Sequence, residues 1–135
     1  MKAVKFGQTD LRVTRYCQGT AFRHLPRNAS DPMAERVLNH CLDRGVNFFD
    51  SAYAYGWGGA EEMLGKVVEG RRDKVVICTK VPASHPPPEE GKPGDPATFT
   101  EPYLTEQVEA ALARLRTNYI DLYLLHQPDK ATPEE

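Results

Sequence analysis

Val75-Val76-Ile77-Cys78-Thr79-Lys80 is an apolar run closed by a single charged residue. Its length, its β-branched content and its lack of polar alternation read as a strand covered on both faces. Two further segments have the same form. Val46-Asn47-Phe48-Phe49-Asp50 precedes it, and Ile120 to Leu125, followed by His126, comes after it as a near-continuous apolar strand. Helical patterns separate the three. Asp31-Pro32 supplies an N-cap and a proline at N1, and Ala34, Val37, Leu38, Cys41 and Leu42 then recur at helical spacing until Gly45. After Gly56-Trp57-Gly58-Gly59, a second helix carries Ala60, Met63, Leu64, Val67 and Val68 on one face and stops at Gly70. Leu104, Val108, Ala111, Leu112 and Leu115 mark a third.

Further out, residues 2 to 17 alternate apolar and polar around Gly7-Gln8-Thr9-Asp10, which reads as a β-hairpin. Tyr16 to Thr20 then forms a short strand. Residues 82 to 99 hold six of the eleven prolines and break the rhythm, so a loop or mobile flap is expected there. Strands alternating with helices imply a parallel α/β sheet, doubly wound or closed into a barrel, and periodicity alone does not separate the two. The polar residues closing the strands stand at 19, 50, 80 and 126, at intervals of 31, 30 and 46. One βα unit of a (β/α)8 barrel takes about 31 residues, an eighth of roughly 250. The long interval exceeds this by about the proline-rich loop.

The expected fold is therefore α/β, the N-terminal half of a (β/α)8 TIM barrel with an N-terminal β-hairpin. It forms one partial domain over residues 1–135, with the proline-rich loop at 82–100. Thr132-Pro133-Glu134-Glu135 has the form of a helix start, so the chain reads as truncated. Each layer of barrel filling draws on four alternate strands, so Phe48, Val76, Leu122 and Leu124 are expected to be poorly covered. Self-association through the open barrel edges is the corollary.

Composition excludes other classes. With 17 Lys and Arg against 19 Asp and Glu, the net charge is -2, and no basic field exists to hold nucleic acid or an anionic membrane. The three cysteines, Cys17, Cys41 and Cys78, are odd in number and widely spaced, which fits neither a disulfide framework nor a zinc site. No apolar run is long enough for a membrane span, and the N-terminus lacks the apolar region of a secretory signal. A cytoplasmic location is expected.

Asp50, Lys80 and His126 each close a strand, and in an α/β barrel the C-terminal strand ends carry the active site. Tyr55 lies in the adjoining loop. Singly, each is more often a solvated turn residue or a packing side chain; together they have a chemical logic. A phenol with a pKa of about 10 is a poor proton donor at neutral pH, and a neighbouring ammonium makes it a usable general acid. Asp50 would hold Lys80 charged, and His126 would hydrogen-bond a carbonyl oxygen. Gly56-Trp57-Gly58-Gly59 fails as a dinucleotide loop because Glu61 stands where glycine is needed. Gly65-Lys66 fails as a P-loop because Val67 replaces the required hydroxyl residue.

Asp50-Ser51-Ala52-Tyr53-Ala54-Tyr55-Gly56, then Glu61, Leu64 and Gly65, Thr79-Lys80-Val81, and Asp121 through Asp129 together resemble the aldo-keto reductase superfamily. The opening hairpin through Gly19-Thr20 does so too. The resemblance implies a (β/α)8 barrel plugged by the hairpin and NADP-dependent reduction of an aldehyde or ketone. It maps a catalytic tetrad onto Asp50, Tyr55, Lys80 and His126. It also maps Gly19, Thr20 and Asp50 beside the nicotinamide of NADP, and no metal is implied. Ser51 replaces the more usual threonine. Such enzymes are roughly twice as long, so this chain alone is expected to bind NADP weakly and to be inactive. The alternatives are a non-catalytic binding or regulatory relative and a self-associating half-barrel. A mere scaffold has no need for Lys80 and Asp50 together.

Overall fold

The computed structural model describes residues 1–22, 31–86, 94–129 and 131. Strands β1 (Ala3–Lys5) and β2 (Arg12–Thr14) pair antiparallel, with Ala3 opposite Thr14 and Lys5 opposite Arg12. Gly7 makes the turn possible, because its φ of 56° lies in the left-handed region where a residue without Cβ is unstrained. The hairpin then docks on the residue preceding the second strand of the main sheet. The Thr14 amide donates to Asn47 Oδ1 at 2.7 Å, and Asn47 Nδ2 donates to the Arg12 carbonyl at 2.9 Å.

The main sheet has four strands in the order β3 (Cys17–Gly19), β4 (Phe48–Asp50), β5 (Val76–Val81) and β6 (Leu122–Leu125), all parallel. Helices α1 (Pro32–Asp43), α2 (Gly59–Val68) and α3 (Glu101–Leu115) make the crossovers. Asp31 caps α1, its Oδ1 accepting from the Met33 and Ala34 amides at 2.7 and 3.2 Å. Strand order follows chain order without the reversal of a doubly wound sheet. The architecture is half of a (β/α)8 barrel.

Alternation along each strand sorts the side chains. Phe49 and Ile77 are fully buried with Leu38, Met63, Leu64 and Leu115, between sheet and helices. Phe48, Asp50, Val76, Cys78, Lys80, Leu122 and Leu124 share the opposite face by strand phase. Coverage of that face is uneven. Val76 is buried, contrary to expectation, while Phe48 and Leu122 are half-buried. The hairpin accounts for part of this, since the Phe6 ring meets Phe48 edge-on at 5.7 Å. The larger correction concerns the last strand. Leu124 is 45% exposed, as expected of a half-barrel, but Leu125 on the other face is 52% exposed as well, because among the described residues no element follows β6 to cover it.

The described ends of the proline-rich segment are also more structured than a flap. Ser84 bridges Pro96, the His85 amide donates to Asp95 at 2.7 Å, and the Ala97 amide donates to Ala83 at 3.1 Å. Ala97 and Phe99 pack with Val81 and Tyr103 in a second cluster. Residues 87–93 of that loop, and the helix start expected at 132–135, lie outside the described residues.

Candidate active site

Parallel register brings the C-terminal ends of the four strands to one rim, and the backbone ladder continues past the strands. The Thr20 amide donates to Asp50, Ser51 to Cys78, Tyr53 to Lys80, and His126 to Val81, at 2.8–3.1 Å. Each chemically active side chain therefore leaves a backbone that its neighbour holds in place.

Lys80 is the centre of the cluster. Its Nζ donates to Asp50 Oδ1 at 2.7 Å and to the Ser51 carbonyl at 2.8 Å, and it reaches the Tyr55 hydroxyl at 3.5 Å. The His126 ring meets the Tyr55 ring edge-on with centroids 5.6 Å apart. The structure thus brings Asp50, Tyr55, Lys80 and His126 together. Burial pulls Lys80 toward the neutral amine, but the hydrogen bond and charge of Asp50 outweigh it and raise the lysine above its ordinary value. Burial lowers His126, and the Lys80 charge lowers it further against the opposing pull of Asp50. A neutral imidazole beside a firm ammonium results.

The residues expected beside a nicotinamide divide. A Cβ built on Gly19 would meet nothing within 4 Å, so the backbone there faces open space. The Thr20 hydroxyl is buried and committed within the protein, reaching the Asp50 carbonyl at 3.2 Å and Ser51 Oγ at 2.9 Å. It braces the rim. Cys78 is pushed up to about 11 by burial and by the Asp50 charge, and stays a neutral thiol. Among the described residues, no group of three or more His, Cys, Asp or Glu side chains is placed to hold a metal.

Two supports around the cluster escaped the reading of the sequence in their roles, both at residues of the quoted motif. The Ser51 carbonyl is a lysine acceptor that no side-chain pattern reveals. The other is Glu61, fully buried, which accepts from Thr79 Oγ1 and from Arg114 Nε, both at 2.6 Å. A signal existed for it. Glu61 stands one helical turn before Leu64 and two before Val68, so the wheel puts a carboxylate on the apolar stripe. Tyr53, the other tyrosine of the motif, turns toward this pair, with the Arg114 guanidinium 4.4 Å from its ring centroid.

The chain is similar to known proteins over nearly its whole length. The sequence profile of the Aldo/keto reductase family matches residues 17–135. YrpG, an uncharacterized oxidoreductase of Bacillus subtilis, is 36% identical over 140 aligned residues, covering 98% of this chain and 42% of that protein. The holo form of aldo-keto reductase AKR11C1 from Bacillus halodurans superposes with a TM-score of 0.77 at 34% identity, covering 92% of this chain and 40% of that one. An aldo-keto reductase from Klebsiella pneumoniae in complex with NADPH gives 0.66 at 27% identity, covering 96% and 40%. The chain spans about two fifths of the length of the proteins it matches.

Proposed function

The chain belongs to the aldo/keto reductase family, and on that premise we propose that it carries the proton-donating machinery for NADP-dependent reduction of an aldehyde or ketone to an alcohol. One observation carries the reading: a single ammonium, Lys80, contacts a carboxylate, a backbone carbonyl and a phenol at once. In this reading Tyr55 gives its proton to the carbonyl oxygen of the substrate. Lys80 stabilises the charge left on the phenol oxygen, and Asp50 keeps Lys80 charged and aimed. His126, neutral and edge-on to Tyr55, donates a hydrogen bond that orients the carbonyl oxygen.

NADPH, bound in the Klebsiella relative, would supply the hydride to the carbonyl carbon. The open backbone face at Gly19 and the Asp50 side chain fit its nicotinamide end. Barrel phosphate sites are built after strands seven and eight, and the four strands described here offer no equivalent. Residues 1–135 alone therefore bind NADPH weakly and turn over little. A cytoplasmic location is part of this proposal; no helix among the described residues is long and apolar enough to cross a membrane.

The test completes the barrel by joining residues 1–135 to the remaining strands of the Bacillus subtilis relative and assaying a panel of aldehydes and ketones. Tyr55→Phe is expected to lower kcat by about 10²–10⁴-fold, because general acid catalysis is worth that much. NADPH affinity should be unchanged, since the phenol serves proton transfer and not docking. Turnover within a few-fold of the parent would overturn the assignment.

A further inference from the structure

Arg114 lies on α3, outside the cluster around Lys80, yet its side chain reaches the base of the loop that carries Tyr55. Three observations place it there. Its Nε donates to Glu61 Oε2 at 2.6 Å, its guanidinium lies 4.4 Å from the Tyr53 ring centroid, and a Cβ on Gly58 would meet its Cδ at 2.7 Å. The side chain fills the space that the absence of a Cβ at Gly58 leaves open. The loop is shaped around it: Trp57 and Gly58 have φ of 48° and 101°, the Gly58 amide donates to the Tyr53 carbonyl at 2.7 Å, and Trp57 packs edge-on against Tyr53 at 5.7 Å. The Ala60 amide donates to the Tyr55 carbonyl at 3.1 Å, so Tyr55 is tied to the same loop.

The pose of Arg114 is not the one that ion pairing alone selects. A guanidinium optimised for a carboxylate presents two nitrogens to two oxygens. Here Thr79 takes one oxygen of Glu61, Arg114 uses only Nε, and Nη2 is buried with no hydrogen-bond partner. What the orientation gains is a flat cationic face against Tyr53. Glu61 is also tied through Thr79 to the strand residue next to Lys80, so one carboxylate references both halves of the site.

We propose that Arg114, seated by the buried Glu61, is a positioning residue that clamps the Tyr53–Trp57 loop and thereby fixes the Tyr55 phenol over Lys80. This rests on the reading of Tyr55 as the proton donor. Trp57 is the only tryptophan in the chain, so its fluorescence reports the loop without any assay of activity. Arg114→Met would strand a carboxylate with no exposed surface and risks failing to fold. Two milder variants serve instead. Arg114→Lys keeps a cation for Glu61 and loses the flat face. Glu61→Gln removes the charge that seats Arg114, which, already 17% exposed, can then swing to water.

Both variants should raise acrylamide quenching of Trp57 and speed amide exchange in a peptide spanning residues 51–60 by about two- to fivefold, the scale of one lost cation–ring contact. Exchange in β4 and in α1 should stay within error. In a double-mutant cycle, Tyr53→Leu combined with Arg114→Lys should match Tyr53→Leu alone, because both act through one contact. A folded Arg114→Lys chain with parental quenching and exchange overturns the clamp and leaves only a structural ion pair. Failure of the Tyr55 assignment is read separately, as retained turnover of Tyr55→Phe in the completed barrel.

Discussion

Lys80 spends one ammonium on three oxygens, and the consequences can be read in pH. The lysine is raised above its ordinary 10.5, so its contribution to stability is complete below that value and lost as pH rises through the higher folded value. His126 is lowered below 6.5, so the unfolded chain takes up a proton there before the folded one does. Its contribution is present above 6.5 and falls away on acidification. Between them the two groups favour the fold most from about 6.5 to 10.5. Thermal melts of His126→Gln are expected to lose part of the decline seen below pH 6.5; an acid limb identical to the parent would show that the histidine is not linked to folding. In the completed barrel, Lys80→Met should cost nearly as much turnover as Tyr55→Phe, measured as kcat at saturating substrate. A residual rate near the parent would separate the lysine from the chemistry.

At the level of elements, α2 and α3 approach so closely that no side chain fits between them at Gly65. A Cβ there would lie 2.5 Å from the Arg114 carbonyl and 2.7 Å from the Leu115 carbonyl carbon. These are backbone atoms in a helix, and they cannot rotate away. Gly65→Ala would gain intrinsic helix propensity but force the helices apart, and overpacking of this kind costs about 1–3 kcal/mol. Urea unfolding should show a lower midpoint with an unchanged slope. An unaltered or raised midpoint would mean that the helices separate freely. The same contact sets the height at which Arg114 meets Gly58, so the packing of two helices and the seating of the Tyr55 loop are one construction.

The whole molecule is governed by its two edges. Among the described residues, β3 and β6 each pair on one side only, and Leu124 and Leu125 on β6 stand in solvent beside unpaired backbone. Exposed edges with apolar neighbours are templates for pairing. Residues 1–135 expressed alone should therefore self-associate, seen by light scattering as a mass above 15.1 kDa that falls when Leu124 and Leu125 are both changed to Lys. A monodisperse monomer at all concentrations would show that the edges are protected. The chain by itself determined the strands, the helices, the hairpin and the half-barrel, because apolar period, caps and the spacing of strand-closing residues are local properties. It also marked Asp50, Lys80 and His126, since a polar residue ending an apolar run is visible without coordinates. Tertiary structure alone decided that Lys80 reaches the Ser51 carbonyl, that the Thr20 hydroxyl is spent internally, and that Tyr53 faces Arg114. Those outcomes depend on the register of separate strands and on the angle between helices, which arise only when segments far apart in the chain pack together.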